Sequence, residues 1–278
     1  AAKKAKDWAT ADAIRAELFY NRFGSPLWPA IMALTLAGAT CLGIHRKLRV
    51  AVIGAGWLLF TWLTDLLALR WIIGRHIPVA NGFETMLFMA WLATAISAVA
   101  IWWRRQKNIA AASMATAAVS LFVATMGSGA STVSPLMPVL ASPLLSVHVL
   151  LVMGAYTLFT IIAILAATAL LRRNSDRVRA ALRCVALLYP AVMLLAAGIF
   201  VGAIWANQSW GRYWGWDPKE TWALITLLIY ALPLHSVGRL SAFRRPRNLL
   251  MYLSIAFISV IITYFGVNYL LPGLHSYA

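Results

Sequence analysis

The chain has 278 residues, 62% of them hydrophobic and 12% charged, with 24 Lys+Arg against 8 Asp+Glu for a formal net charge of +16. A soluble domain carries about 25% charged and about half apolar residues, so there is too little polar surface here to coat a water-soluble body. The mean hydropathy of +0.78 agrees, and because the basic residues fall between apolar runs they read as membrane topology, which excludes nucleic acid as their partner.

Residues 1–25 form a polar tail carrying Lys3, Lys4, Lys6, Asp7, Asp12, Arg15 and Glu17. It has no initiator Met and lacks the apolar stretch of a signal peptide, as expected of an extracytoplasmic tail or linker in a processed chain or a longer polypeptide. From residue 26 to 278 the chain is predicted to be one transmembrane domain. Runs long enough to cross about 30 Å of hydrocarbon follow at residues 27–45, 50–69, 82–103, 109–126, 143–171, 184–205, 219–237 and 248–270. The fold class is therefore all-α, a polytopic membrane protein of about eight helices with no strand-like run.

Orientation comes from the Lys/Arg bias of the connections. Alternate loops hold Arg46, Lys47 and Arg49; Arg104, Arg105 and Lys107; Arg172, Arg173, Arg177, Arg179 and Arg183; and Arg239, Arg244, Arg245 and Arg247. The opposite loops hold only Arg70, Arg75, Arg212 and Lys219. The first set is expected on the cytoplasmic side, which puts both termini outside. Cys41 and Cys184 are far apart and form no C-x-x-C, so a thiol redox role is not expected. Asp65, near the end of the second run, needs a partner, and Arg70 is the nearest candidate in sequence.

Several helix starts are legible. Asp217-Pro218-Lys219-Glu220 reads as N-cap, N1, N2 and N3 of the seventh helix. Asn81-Gly82-Phe83-Glu84 repeats the logic at the third helix and Ser142-Pro143 at the fifth. Just before the seventh helix, a segment expected as an outer loop at residues 205–221 crowds Trp205, Trp210, Tyr213, Trp214 and Trp216 together. An interfacial aromatic belt accounts for any one of them, but a belt spreads around a protein and this cluster does not. Trp210 and Trp214 are four apart, so one helical turn would put them on one face, and a continuous aromatic platform suits a planar hydrophobic ligand.

Among five histidines, His148 lies six residues beyond Ser142, about 9 Å below the outer rim, and His275 follows Pro272-Gly273-Leu274 just past the eighth helix on the same side. Two neutral imidazoles can bracket a porphyrin iron. His235 lies near the cytoplasmic end of the seventh helix, where an intramembrane His is a functional candidate. His45, beside Arg46 and Lys47, reads as interfacial, and His76 lies in the outer Arg75-His76-Ile77-Pro78 segment.

Together these residues resemble the CcsA/ResC family of cytochrome c biogenesis (system II), a group of heme-handling membrane proteins. The resemblance rests on Trp210-Gly211-x-Tyr213-Trp214-x-Trp216-Asp217-Pro218-Lys219-Glu220-Thr221, the tryptophan-rich WWD signature. Ala80-Asn81-Gly82-Phe83-Glu84-Thr85, Ser146-Val147-His148, Leu234-His235 and Gly273-Leu274-His275-Ser276-Tyr277 extend it. Tyr213 stands where many members carry a second tandem Trp. Residues 17–28 and Arg75-His76 resemble the type in which ResB and CcsA are fused.

The resemblance implies export of heme b and its covalent attachment to apocytochrome c CXXCH motifs, the work of a cytochrome c synthase. Heme transport or delivery without attachment is the alternative. It implies His148 and His275 as axial ligands of the outer heme and as the catalytic pair, and His235 as ligand of a heme within the membrane. Trp205, Trp210, Tyr213, Trp214, Trp216, Asp217 and Glu220 would form the heme-binding loop. Arg212 and Lys219 are its basic residues, placed to pair with propionates. A ResB/CcsB-like membrane subunit or fused domain, apocytochrome c, heme and membrane lipids are the implied partners. The implied location is the bacterial inner membrane with the WWD loop periplasmic, or the thylakoid membrane in a plastid.

Overall fold

A computed structural model describes residues 14–15, 17–18, 20, 24–42, 49–102, 106–126, 142–172, 176–236 and 241–267. Its elements are α1 (Leu27–Leu42), α2 (Arg49–Gly74), α3 (Gly82–Trp102), α4 (Lys107–Met126), α5 (Pro143–Leu171), α6 (Arg177–Trp210), α7 (Pro218–Ser236), a 3-10 turn (Ser241–Arg244), α8 (Pro246–Ile261) and a π turn (Ile262–Gly266). No strand occurs among the described residues. Six helices are long and apolar enough to cross a membrane: most of α2, then α3, α4, α5, α6, and α8 with its π turn. Of the two remaining expected spans, α1 is apolar but only 16 residues long as described. Every 18-residue window of α7 contains both Lys219 and Glu220.

The chain divides into two compact units, residues Ala1–Ala141 and Ser142–Ala278. In the first, α4 packs against α1 and α3, and α2 against α1 and α3. The contact faces are built from small residues, with Ala33, Ala90, Ala93, Ala110 and Ala117 fully buried. Such residues let helix backbones approach where lipid removes the hydrophobic drive to associate. Ser97 adds a cross-helix hydrogen bond to the Ala110 carbonyl at 3.2 Å.

Arg70 shows why charge alone is a poor guide to a helix end. The second apolar run is expected to stop before it, yet α2 continues to Gly74. The Arg70 side chain is wholly buried, its Nε donating to Glu84 Oε1 at 2.9 Å and its Nη1 to the Tyr20 hydroxyl at 2.7 Å. Its guanidinium also lies 4.8 Å from the Phe83 ring centroid. Asp65 is not its partner. Five positions along a helix is about 140° of rotation, and Asp65 stays on an exposed face of α2. Asn81 Oδ1 accepts from the Glu84 amide as a cap should, at 2.9 Å. Glu84 answers the Ala80 amide, at 2.8 Å, rather than that of Asn81.

In the second unit, α5 and α6 form the dominant pair, joined through residues 172–176 and so antiparallel; α8 packs on both and α7 on α6 and α8. α6 runs 34 residues, past both ends of the expected 184–205 span. At its start Asp176 accepts from the Arg179 amide at 2.9 Å, and that bond with the Arg179 side chain holds the Asp176 carboxyl below its ordinary range. The basic residues after it simply continue the helix. Inside the unit, Phe159 of α5 stacks on Tyr230 of α7 with centroids 3.7 Å apart, and Thr226 of α7 pairs with Thr263 of the π turn at 2.9 Å. Cys184 is buried in this core and neither cysteine is in a disulfide.

Candidate functional site

The site grows from the two ends of a short irregular segment in the second unit. α6 continues through Trp210 and stops at Gly211, whose φ of 72° is left-handed and whose amide bonds to the Asn207 carbonyl. The expected loop at 205–221 therefore shrinks to residues 211–217. Trp210 ends a helix that Trp214 does not share, so the two are not one turn apart on a common face.

The far end is built as its sequence suggests, and more tightly. Asp217 is buried, and its Oδ1 accepts from the Lys219 amide at 2.9 Å. Glu220 Oε2 accepts from the Asp217 amide at 3.2 Å and also from the Gly215 amide at 2.8 Å. One carboxylate oxygen thus straddles Trp216, which adopts a left-handed φ of 55°. That conformation costs a side-chain-bearing residue about 1–2 kcal/mol, and two charge-assisted hydrogen bonds offset it. Replacing Glu220 with Ala should release the turn. Amide hydrogen exchange at Gly215 and Asp217 should quicken by roughly 10- to 100-fold, the equivalent of about 1–3 kcal/mol for two donors left without their acceptor, while exchange in the body of α5 stays unchanged.

The indoles form two edge-on pairs. Trp205 and Trp210 meet at 4.9 Å and 71°. Trp214 and Trp216 meet at 5.9 Å and 88°. Trp205 is buried at 2% exposure, beneath the helix end, whereas Trp216 and Tyr213 stand out at 73% and 61%. The guanidinium of Arg212 folds over Gly215: a Cβ there would lie 3.1 Å from its Cζ. Lys219 sits in the first turn of α7, partly buried.

His148 lies in the second turn of α5, partly buried, with Nδ1 2.7 Å from the Gly198 carbonyl oxygen of α6. A carbonyl only accepts, so Nδ1 carries the proton and the neutral ring's lone pair is on Nε2. Gly198 to Gly202 is the level of contact, which puts the imidazole about 12–18 Å along α6 from Trp210, at the same end of the unit as the Trp segment. His235 is in the last turn of α7 and exposed, about 22 Å along the helix from Glu220, so the structure keeps it apart from the loop. His76, in the first unit, has Nδ1 3.0 Å from the Ile77 carbonyl oxygen. His275 and His45 lie outside the described residues. Among the described residues no group of three or more His, Cys, Asp or Glu side chains is placed to hold a metal ion.

Sequence reasoning passed over Gly198, Gly202 and Gly215. The G-x-x-x-G spacing of the first two on a membrane helix was the available signal.

An apolar helical body with a buried acidic cap holding a Trp-bearing turn, and a His whose tautomer is set by a facing helix, is the arrangement of a polytopic membrane protein. The chain belongs to the family described as cytochrome C assembly protein, which matches residues 79–275. Its relatives include proteins of the CcsA type. The chain is 31% identical over 272 residues to the cytochrome c biogenesis protein CcsA of Guillardia theta, covering 84% of this chain and 88% of that protein. It is 36% identical over 287 residues to protein NrfI of Wolinella succinogenes, covering 95% of this chain but only 31% of NrfI. It thus spans about a third of that relative's length. Among solved structures the cytochrome c heme lyase CcmF shares the fold, with a TM-score of 0.65 over 90% of this chain and 46% of that chain, at 19% identity.

Proposed function

We propose that this chain handles heme for cytochrome c maturation, carrying it across the membrane and presenting it for covalent attachment at the Trp-bearing end of the second unit. The observation that carries the reading is the Nδ1 bond from His148 to Gly198. A second nitrogen fixed as the lone-pair site is the arrangement found in metal-ligating histidines, and it fits an iron porphyrin as substrate. The exposed rings of Tyr213 and Trp216 supply apolar faces for the macrocycle. Glu220 keeps the turn that displays them in place. Arg212 and Lys219 are the cations nearest those rings in sequence and suit the propionates.

His275 is the second ligand in this reading and His235 the ligand of heme on its way through the membrane. The basic asymmetry of the loops supports a Trp segment on the outer, periplasmic side of a bacterial inner membrane. A ResB/CcsB-like subunit or fused domain completes the machinery, and heme b is the form carried. Attachment itself is redox-neutral: each apocytochrome thiol S–H adds across a vinyl C=C, forming one S–C bond while the proton goes to the adjacent carbon. No acid–base side chain is needed beyond what holds the two reactants together, so positioning supplies the acceleration.

The test is coexpression of the full chain and a ResB-like partner with an apocytochrome c in cells lacking their own maturation system. Heme staining of the apocytochrome after denaturing electrophoresis is the expected result. Heme that copurifies with the chain while no stained apocytochrome forms would replace attachment with transport or delivery alone.

A further inference from the structure

We infer that Gly198 and Gly202 are positioning residues for His148: the carbonyl of the first sets the tautomer of the ring, and the missing side chain of the second makes room for it. This rests on the reading of His148 as a heme ligand and extends it to residues that touch no substrate.

The two glycines are one turn apart on α6 and so share a face. Glycine inside a helix is unfavourable relative to alanine, so two on one face require a reason. At Gly202 a Cβ would lie 2.6 Å from His148 Nδ1 and 2.7 Å from its Cε1. Real Cβ atoms do not come that close. The atoms met belong to a flat ring wedged against backbone, so a methyl group at 202 has to rotate or displace the imidazole. At Gly198 a Cβ would lie 2.7 Å from Val152 Cγ2 and 3.3 Å from the Val152 amide nitrogen. Absence of that side chain brings α5 close enough for His148 Nδ1 to reach the 198 carbonyl at 2.7 Å. That oxygen is already the natural acceptor for the amide of Gly202 within the helix, and its second lone pair takes the imidazole proton.

A pair of glycines serving only close helix packing would leave the histidine indifferent to a methyl at 202. Here the ring, not the partner backbone, occupies the space. The second nitrogen is thereby presented as a lone pair whatever the ring's solvent surroundings, and loss of such an outer partner typically weakens metal ligation by roughly 10- to 100-fold.

The experiment uses the full chain purified in detergent and loaded with heme, comparing wild type with Gly202→Ala, His148→Gly and Gly54→Ala. Gly54 is the control because a Cβ there meets nothing within 4 Å. The readouts are the low-spin heme absorption and electron paramagnetic resonance spectra, together with the ¹⁵N resonances of His148 in the heme-free protein. Gly202→Ala should retain heme but lose low-spin character, with imidazole ligation about 10- to 100-fold weaker, and should abolish the Nδ1-protonated signal. Gly54→Ala should match wild type. If His148→Gly alters the spectrum but Gly202→Ala keeps both the spectrum and the Nδ1-protonated tautomer, the inference is overturned and the ligand reading stands. If His148→Gly leaves the spectrum unchanged, the ligand reading falls, and the ¹⁵N signals still decide whether the glycines position the ring. Should Gly202→Ala fail to fold, the wild-type tautomer alone decides: a proton on Nε2 of His148 overturns the inference.

Discussion

Substituting His148 with glycine is expected, on the proposed ligation, to convert low-spin heme loaded onto the chain into a five-coordinate, high-spin form. Attachment to apocytochrome c should fall by more than the roughly 10- to 100-fold that loss of an outer-shell partner costs. The ring is wedged between α5 and the glycine face of α6, so its removal leaves a slot the shape of an imidazole. Free imidazole should enter that slot and restore both spectrum and activity in proportion to its concentration. Recovery of the low-spin spectrum by imidazole separates loss of a ligand from loss of fold. A His148→Gly protein with wild-type spectrum and attachment would remove His148 from the site.

The largest stability effect is expected in the first unit. Changing Glu84 to Ala should destabilise it by about 3–5 kcal/mol, because the wholly buried Arg70 guanidinium loses its counter-charge. The Ala80 amide loses its acceptor as well. Changing Arg70 to Met together with Glu84 to Gln should recover most of the loss, since burying a neutral, well-packed pair avoids the desolvation of two ions. Thermal unfolding of the detergent-solubilised chain, followed by the fraction remaining monodisperse, measures both. If Glu84→Ala is as stable as wild type, the ion pair contributes no net stability.

The sequence was most informative where one residue type has one physical use. Long apolar runs became helices because in lipid a helix satisfies its backbone groups within its own segment. Asp217, Pro218 and Glu220 became a cap because the first turn of any helix presents unanswered amides. It was least informative where a residue's role depends on what lies across from it. Arg70 read as a helix end and a partner for Asp65; burial beside Glu84 and Tyr20 made it neither. Trp205 read as part of an exposed platform and is instead packed under Trp210. The basic residues from Arg177 onward read as loop, although helices end at caps rather than at charges, and Asp176 supplies the cap upstream. His148 was legible as a candidate from its depth alone. Its tautomer was not, because the Gly198 carbonyl that fixes it is fifty positions away.

The length of α6 carries a consequence for the lipid around it. From Arg183 to Trp205 the helix rises about 33 Å, close to the roughly 30 Å of a hydrocarbon layer. An arginine that stretches toward headgroups at one end, and the exposed rings of Tyr213 and Trp216 that favour the boundary just past the other, act as a depth gauge. The glycines facing His148 lie about 4–10 Å inside the Trp205 mark, so with this stretch of α6 in the hydrocarbon layer the imidazole falls in the dry margin of the bilayer rather than in bulk solvent. How wet His148 Nε2 becomes is then a property of the membrane as well as of the polypeptide: a thinner bilayer lifts it toward the aqueous phase, and a thicker one draws it further into oil.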